Sequence, residues 1–107
     1  MRMVYKYPVL LENYFEVTMP VGARILTVQI QNSEPQMWVL INPSFQNKIY
    51  RFRLVGTGHP IQDNEELSYI DTFQMRNGGL VFHLFLDTSL LSEKGLPFTD
   101  PPEQEAS

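Results

Sequence analysis

Apolar and polar residues alternate with a period of two along most of this chain, and that pattern constrains the fold more than any single motif does. "RILTVQIQ" (24–31) sets Leu26, Val28 and Ile30 against Thr27, Gln29 and Gln31. "KIYRFRLV" (48–55) opposes Tyr50, Phe52 and Leu54 to Ile49, Arg51, Arg53 and Val55, and "LVFHLFLD" (80–87) alternates Leu80, Phe82, Leu84 and Leu86 with Val81, His83 and Phe85. "MVYKY" (3–7), "YFEVTM" (14–19) and "LSYIDTFQM" (67–75) are β-favouring runs, and "QMWVLIN" (36–42) is apolar enough for a central strand buried on both sides. Successive side chains of a strand point to opposite faces, so each alternating run predicts one core face and one outer face.

Turn chemistry separates these runs. "NSEP" (32–35) has turn composition, and Asn77-Gly78 within "RNGG" supplies the two positive-φ residues of a tight primed hairpin. The chain therefore reads as all-β: about seven strands in a small antiparallel β-sandwich or partly open barrel. At most a short helical turn follows in "DTSLLSEKG" (87–95), with Asp87 or Ser89 as N-cap and Gly95 as terminator. With 107 residues, 43% of them hydrophobic, the chain holds one core without staples. The expected organisation is a single β domain over 1–92 and a flexible acidic, proline-rich tail over 93–107.

Charge and composition exclude several function classes. Glu93, Asp100, Glu103 and Glu105 against Lys94 carry −3 of the net −4, leaving −1 for residues 1–92. A nearly neutral body lacks the basic stripe that duplex nucleic-acid binding requires. The absence of cysteine removes disulfides, a thiol nucleophile and thiolate metal sites together. No apolar run approaches the length of a membrane helix, and "MRMVYKYPVLLENYF" lacks signal-peptide architecture, so a soluble cytoplasmic protein without cofactor is expected.

Four groups of residues carry candidate chemistry. Arg51 and Arg53 share one strand face and can present two guanidinium forks to phosphate or carboxylate; the competing reading makes them solvated surface residues. Trp38 or Tyr69 can stack a base beside them, and Gln29 and Gln31 can read its edge, provided that the two polar faces lie together. The loop "VGTGHP" (55–60) matches no standard phosphate-loop pattern. Its residues Gly56, Thr57, Gly58 and His59 form either an anion nest or simply the corner at which a strand ends. His59 and His83 are the only histidines, and metal binding would require them to converge with a carboxylate such as Asp71 or Glu65; no metal is expected. For His83 a neighbouring hydroxyl or carbonyl is the expected partner.

The ordered segments "YKYP", "MPVGARILTVQIQNSEPQMWVLINP", "RFRLVGTGHPI", "YIDTFQ" and "GGLVFHLF" together resemble a family of small uncharacterised proteins frequent in tailed-bacteriophage genomes. The resemblance spans about residues 3–86. It implies a phage setting in the infected bacterial cytoplasm and no catalytic residues. In that setting the expected function is non-enzymatic: an anti-defence sponge for a small anionic, nucleotide-derived and possibly cyclic immune signal. Arg51 and Arg53 would hold phosphate, the 56–59 loop would donate hydrogen bonds, and Trp38, Tyr69 and Gln31 would contact the base. The alternative is an interaction module that inhibits a host protein or acts in the virion, and a third reading is a small hydrolase using His59. Exposed strand edges favour a homo-oligomer.

Overall fold

A computed structural model describes residues 1–89. Seven antiparallel strands form two sheets: β1 (Met3–Pro8), β2 (Tyr14–Pro20), β3 (Arg24–Gln31), β4 (Glu34–Ile41), β5 (Asn47–Gly56), β6 (Leu67–Met75) and β7 (Leu80–Asp87). The three-stranded sheet has the order β1-β4-β3 and the four-stranded sheet β2-β5-β7-β6. Every strand covers its expected run to within two residues at either end. The tail and most of the expected 87–95 helical turn lie outside the described residues. The one visible part of that turn is the Ser89 N–H donating to Asp87 Oδ1 at 2.9 Å, as an Asp N-cap would accept it.

The alternation places the core between the sheets. Met37, Val39 and Ile41 of β4 face Phe52 and Leu54 of β5, Leu84 of β7 and Phe15 and Met19 of β2 in one cluster. Phe15 and Phe52 are register partners and stack at 5.1 Å. Phe52 is fully buried, and so are Met19, Met37, Val39 and Leu84. Burying such side chains contributes about 1.5–3 kcal/mol each, which is why the two faces cannot exchange.

Two expectations need correction. In β3 the pairing shifts between Ile25 and Thr27, so Leu26 sits in a bulge and is 49% exposed, while Ile25 takes the inward position beside Val28. An extra residue in one strand reverses the facing of everything before it. β4 is central as expected, but only one of its faces is fully buried: Trp38 and Leu40 are half-buried on the other.

A second bulge lies in β6 between Tyr69 and Asp71. Both bulged strands are outermost in their sheets, and one carboxylate joins them. Asp71 Oδ2 accepts the Val28 N–H at 2.9 Å and, at 3.4 Å, the Thr27 hydroxyl, while Asp71 Oδ1 accepts its neighbour's Thr72 N–H at 2.8 Å. The β3 and β6 edges are thus closed against each other, and β1 and β2 remain the outer strands at the opposite ends of the series. Seven antiparallel strands in two sheets with the core between them bear out the expected all-β class.

The hairpin at 76–79 follows its sequence. Asn77 and Gly78 have φ of 53° and 89°, and the Gly79 N–H closes the turn on the Arg76 C=O at 2.9 Å. Arg76 is also left-handed, with φ of 54°, and the Gly78 N–H donates to the Met75 C=O, so two such turns overlap. Asn32 and Ser33, both with positive φ, make the β3–β4 hairpin in two residues.

Candidate functional site

The outer face of the four-stranded sheet carries most of the polar side chains singled out above. Register places Tyr14, Arg53, Phe85 and Tyr69 in one row across β2, β5, β7 and β6. Loop 57–66 folds back over part of this face, which explains why Arg53 and Val55, although outward-pointing, are buried. A hollow of about 380 Å³ lies between loop and sheet, lined by Asn13, Tyr14, Arg53, Val55, His59, Pro60 and Gln62.

Arg53 is the centre of this arrangement. Its Nε donates to Glu65 Oε1 at 2.7 Å and its Nη2 to Glu65 Oε2 at 3.4 Å. Nη1 donates to the Leu54 C=O at 3.0 Å, and Nη2 also reaches the Pro60 C=O at 3.3 Å. Glu65 accepts two more bonds, from the Tyr14 hydroxyl and from the Gln62 N–H at 2.8 Å. The side chains of the pair are only 11% and 12% exposed. These donors, the Arg53 guanidinium first and the Tyr14 hydroxyl next, hold the Glu65 carboxyl down at about 2. The same carboxylate pushes the Tyr14 hydroxyl up and, by its hydrogen bond, raises the Arg53 guanidinium.

Arg51 differs from Arg53 although it shares the face. Its side chain is 45% exposed, and its Nε lies 3.5 Å from Asp87 Oδ2. Its guanidinium lies 4.3 Å from the centre of the Tyr14 ring, and that of Arg53 lies 5.0 Å from it, so one phenol ring contacts both cations.

The "VGTGHP" stretch is a strand corner. β5 ends at Gly56, the His59 N–H donates to the Gly56 C=O at 3.0 Å, and Gly58 has the left-handed φ of 88° that such a turn requires. The Thr57 N–H donates to the Val81 C=O, so both it and the His59 N–H have backbone partners and do not converge as an anion nest. A Cβ on Gly56 would lie 3.3 Å from the His59 ring, so the missing side chain there lets the imidazole pack on the chain and face the hollow.

The two histidines have different surroundings: His59 packs on Gly56 and lines the hollow, whereas His83 lies between two hydroxyls. His83 Nε2 lies 2.7 Å from the Thr57 hydroxyl and Nδ1 lies 3.0 Å from the Thr72 hydroxyl, which is itself 2.7 Å from the Tyr69 hydroxyl. His83 therefore has the hydroxyl partner expected of a sheet histidine. Among the described residues no group of three or more His, Asp or Glu is placed to hold a metal ion. No described helix is long and apolar enough to cross a membrane.

The structure brings together Arg53, His59, Tyr14 and Gln62, with Arg51 and Tyr69 on the same face; it does not bring Trp38 or Gln31 to them. Trp38 pairs with Lys6 and Thr27 on the outer face of the other sheet, and Gln31 accepts from Lys6 Nζ at 2.6 Å there. The core lies between that face and the arginines. The condition that the two polar faces lie together is not met. Reasoning from sequence misses Glu65 as the partner of Arg53, because nothing within "IQDNEE" distinguishes Glu65 from Glu66. Tyr14 likewise reads in the sequence only as a strand residue, and its facing relative to Arg53 depends on the β2–β5 register.

A family model described as a domain of unknown function (DUF7352) matches residues 1–93. The chain belongs to this family. The match covers all seven strands and therefore the whole of the site just described. No curated protein and no solved structure matches the chain.

Proposed function

We propose that this protein is a non-catalytic binding module whose ligand is a small anionic, nucleotide-derived molecule held on the outer face of the four-stranded sheet. The observation that carries the reading is the hollow of about 380 Å³ beside two arginines in contact with one phenol ring. That volume lies within the usual range of small-molecule sites, about 300–1,000 Å³. Arg51, half-exposed and held by one 3.5 Å ion pair, is the residue able to turn toward phosphate; Arg53 is a positioning residue in the free protein. Tyr14, Tyr69 and His59 supply aromatic surface on the same side. Trp38 and Gln31, on the far side of the core, take no part in the site.

The sequence resemblance supports a phage setting and, with it, sequestration of an immune signal in the host cytoplasm as the biological role. A thermal-shift series with linear and cyclic nucleotides tests the reading, with chromatography to establish that the ligand is released intact. A stabilising shift that Arg51→Ala removes is the expected result. That substitution should itself cost at most about 1 kcal/mol, because exposed ion pairs contribute little. No shift with any nucleotide refutes the proposal.

A second reading, a protein-interaction module, draws on the exposed apolar residues of β1. Met3 and Tyr5 are register partners of Ile41 and Val39 on the core side, yet remain 43% and 41% exposed beside a strand edge that no other described strand pairs. Pairing of that edge with another chain, including a second copy, would bury them. Concentration-dependent sedimentation abolished by Tyr5→Lys would favour it.

A further inference from the structure

Four donors converge on the Glu65 carboxylate from three parts of the chain: Arg53 Nε and Nη2 on β5, the Tyr14 hydroxyl on β2 and the Gln62 N–H in the loop. A guanidinium fork, a phenol and a backbone N–H form a donor set suited to any oxyanion, not only to a carboxylate. The guanidinium is also anchored independently of Glu65, through the Leu54 and Pro60 carbonyls. The cradle would therefore stay in place if the carboxylate left. Three of its members, Arg53, Tyr14 and Gln62, line the hollow. Glu65 follows a run of four exposed loop residues, Ile61 to Asn64, while the next residue is tied to the chain just past β7 by the Thr88 N–H on the Glu66 C=O at 2.8 Å.

We propose that Glu65 is a tethered stand-in for the ligand's anionic group, and that a phosphate-class oxyanion entering the hollow displaces it from the Arg53–Tyr14–Gln62 cradle. The inference rests on the anion-binding role proposed above and adds a competitor built into the site. A tethered carboxylate competes at an effective concentration on the order of millimolar or higher, so weak monoanions are excluded. A phosphate or diphosphate group brings more charge and three acceptor oxygens to the same donors, and can win. Selectivity for polyanions then follows from competition without a large basic patch, which suits a body of nearly neutral charge. Displacement would also release the carboxyl from the donors that hold it low.

The test uses inorganic pyrophosphate and the full chain. Titration calorimetry on the wild type, Glu65→Ala and Glu65→Ala with Tyr14→Phe should give binding to Glu65→Ala at least about tenfold tighter than to the wild type, with most of that gain removed by Tyr14→Phe. Equal or weaker binding by Glu65→Ala, or no binding by either protein, overturns the proposal. A measurement on the wild type covers the case in which Glu65→Ala does not fold. The Glu65 carboxyl carbon, followed by NMR, should titrate near 2 in the free protein and move up toward its ordinary 4.5 in saturating pyrophosphate. An unchanged titration overturns the proposal. A nucleotide thermal shift with no response at Glu65 sinks the displacement and leaves the binding site. Pyrophosphate tightening without any nucleotide shift supports the cradle and sinks the nucleotide reading.

Discussion

Replacing Glu65 by glutamine removes one charge from a nearly buried pair while keeping the size of the side chain. The carboxyl is held at about 2 against an ordinary 4.5, a difference worth roughly 3 kcal/mol of interaction with the ionised form. Breaking a buried pair on one side costs about 3–5 kcal/mol, since the remaining charge is left without its partner. With the pair 11% and 12% exposed, some solvent relief remains, and a loss of roughly 2–4 kcal/mol at pH 7 is expected for Glu65→Gln. On a domain of this size that is a fall in Tm of about 10–20 °C. The folded-state value lies below the unfolded one, so the contribution is complete above pH 4.5 and disappears as pH falls toward 2. Urea denaturation from pH 7 to pH 2 should therefore show the wild-type and Glu65→Gln stabilities converging across that window. A double variant, Arg53→Met with Glu65→Leu, should recover most of the loss, because it leaves no buried charge alone. A Glu65→Gln deficit under about 0.5 kcal/mol at pH 7, or one that does not change down to pH 2, would refute the assignment of Arg53 and Glu65 as a stabilising buried pair.

Further consequences concern the fold. Asp71→Ala removes the acceptor shared by β3 and β6 and leaves the Val28 N–H unpartnered in the junction; a loss of about 1–3 kcal/mol in urea denaturation is expected, and an unchanged midpoint would show that the edges close without it. Phe52→Ala empties the centre of the core against Phe15 and should cost about 3–5 kcal/mol by the same measurement. Gly58→Ala meets no atom within 4 Å but must hold φ at 88°, so its cost should be confined to backbone strain of about 1–2 kcal/mol and should appear as a lower Tm.

The candidate site was legible in its parts and not in its assembly. That Arg51 and Arg53 share a face follows from a spacing of two, and β5 bears this out. Their different circumstances do not follow from it. Arg53 is covered because loop 57–66 happens to return over it, and Arg51, one step along the strand, is left half-exposed. The choice of Glu65 over its neighbour Glu66 is made by how the loop crosses the sheet. Trp38 and Gln31 have suitable chemistry but belong to strands whose outer face looks the other way.

The sequence by itself determined what is local. Alternation and β-favouring or apolar runs located seven strands and chose the core faces of β5 and β7, and Asn77-Gly78 placed a left-handed hairpin turn, because pleat and positive φ depend on adjacent residues. Tertiary structure decided what depends on register and sheet order: the bulges at Leu26 and Ile70, the Asp71 bridge between sheet edges, and the pairing of Arg53 with Glu65. A bulge adds one residue without changing composition, and an ion pair across a loop needs two segments to be neighbours in space. Neither leaves a periodic trace along the chain, because each is fixed only when the sheets close on a common core.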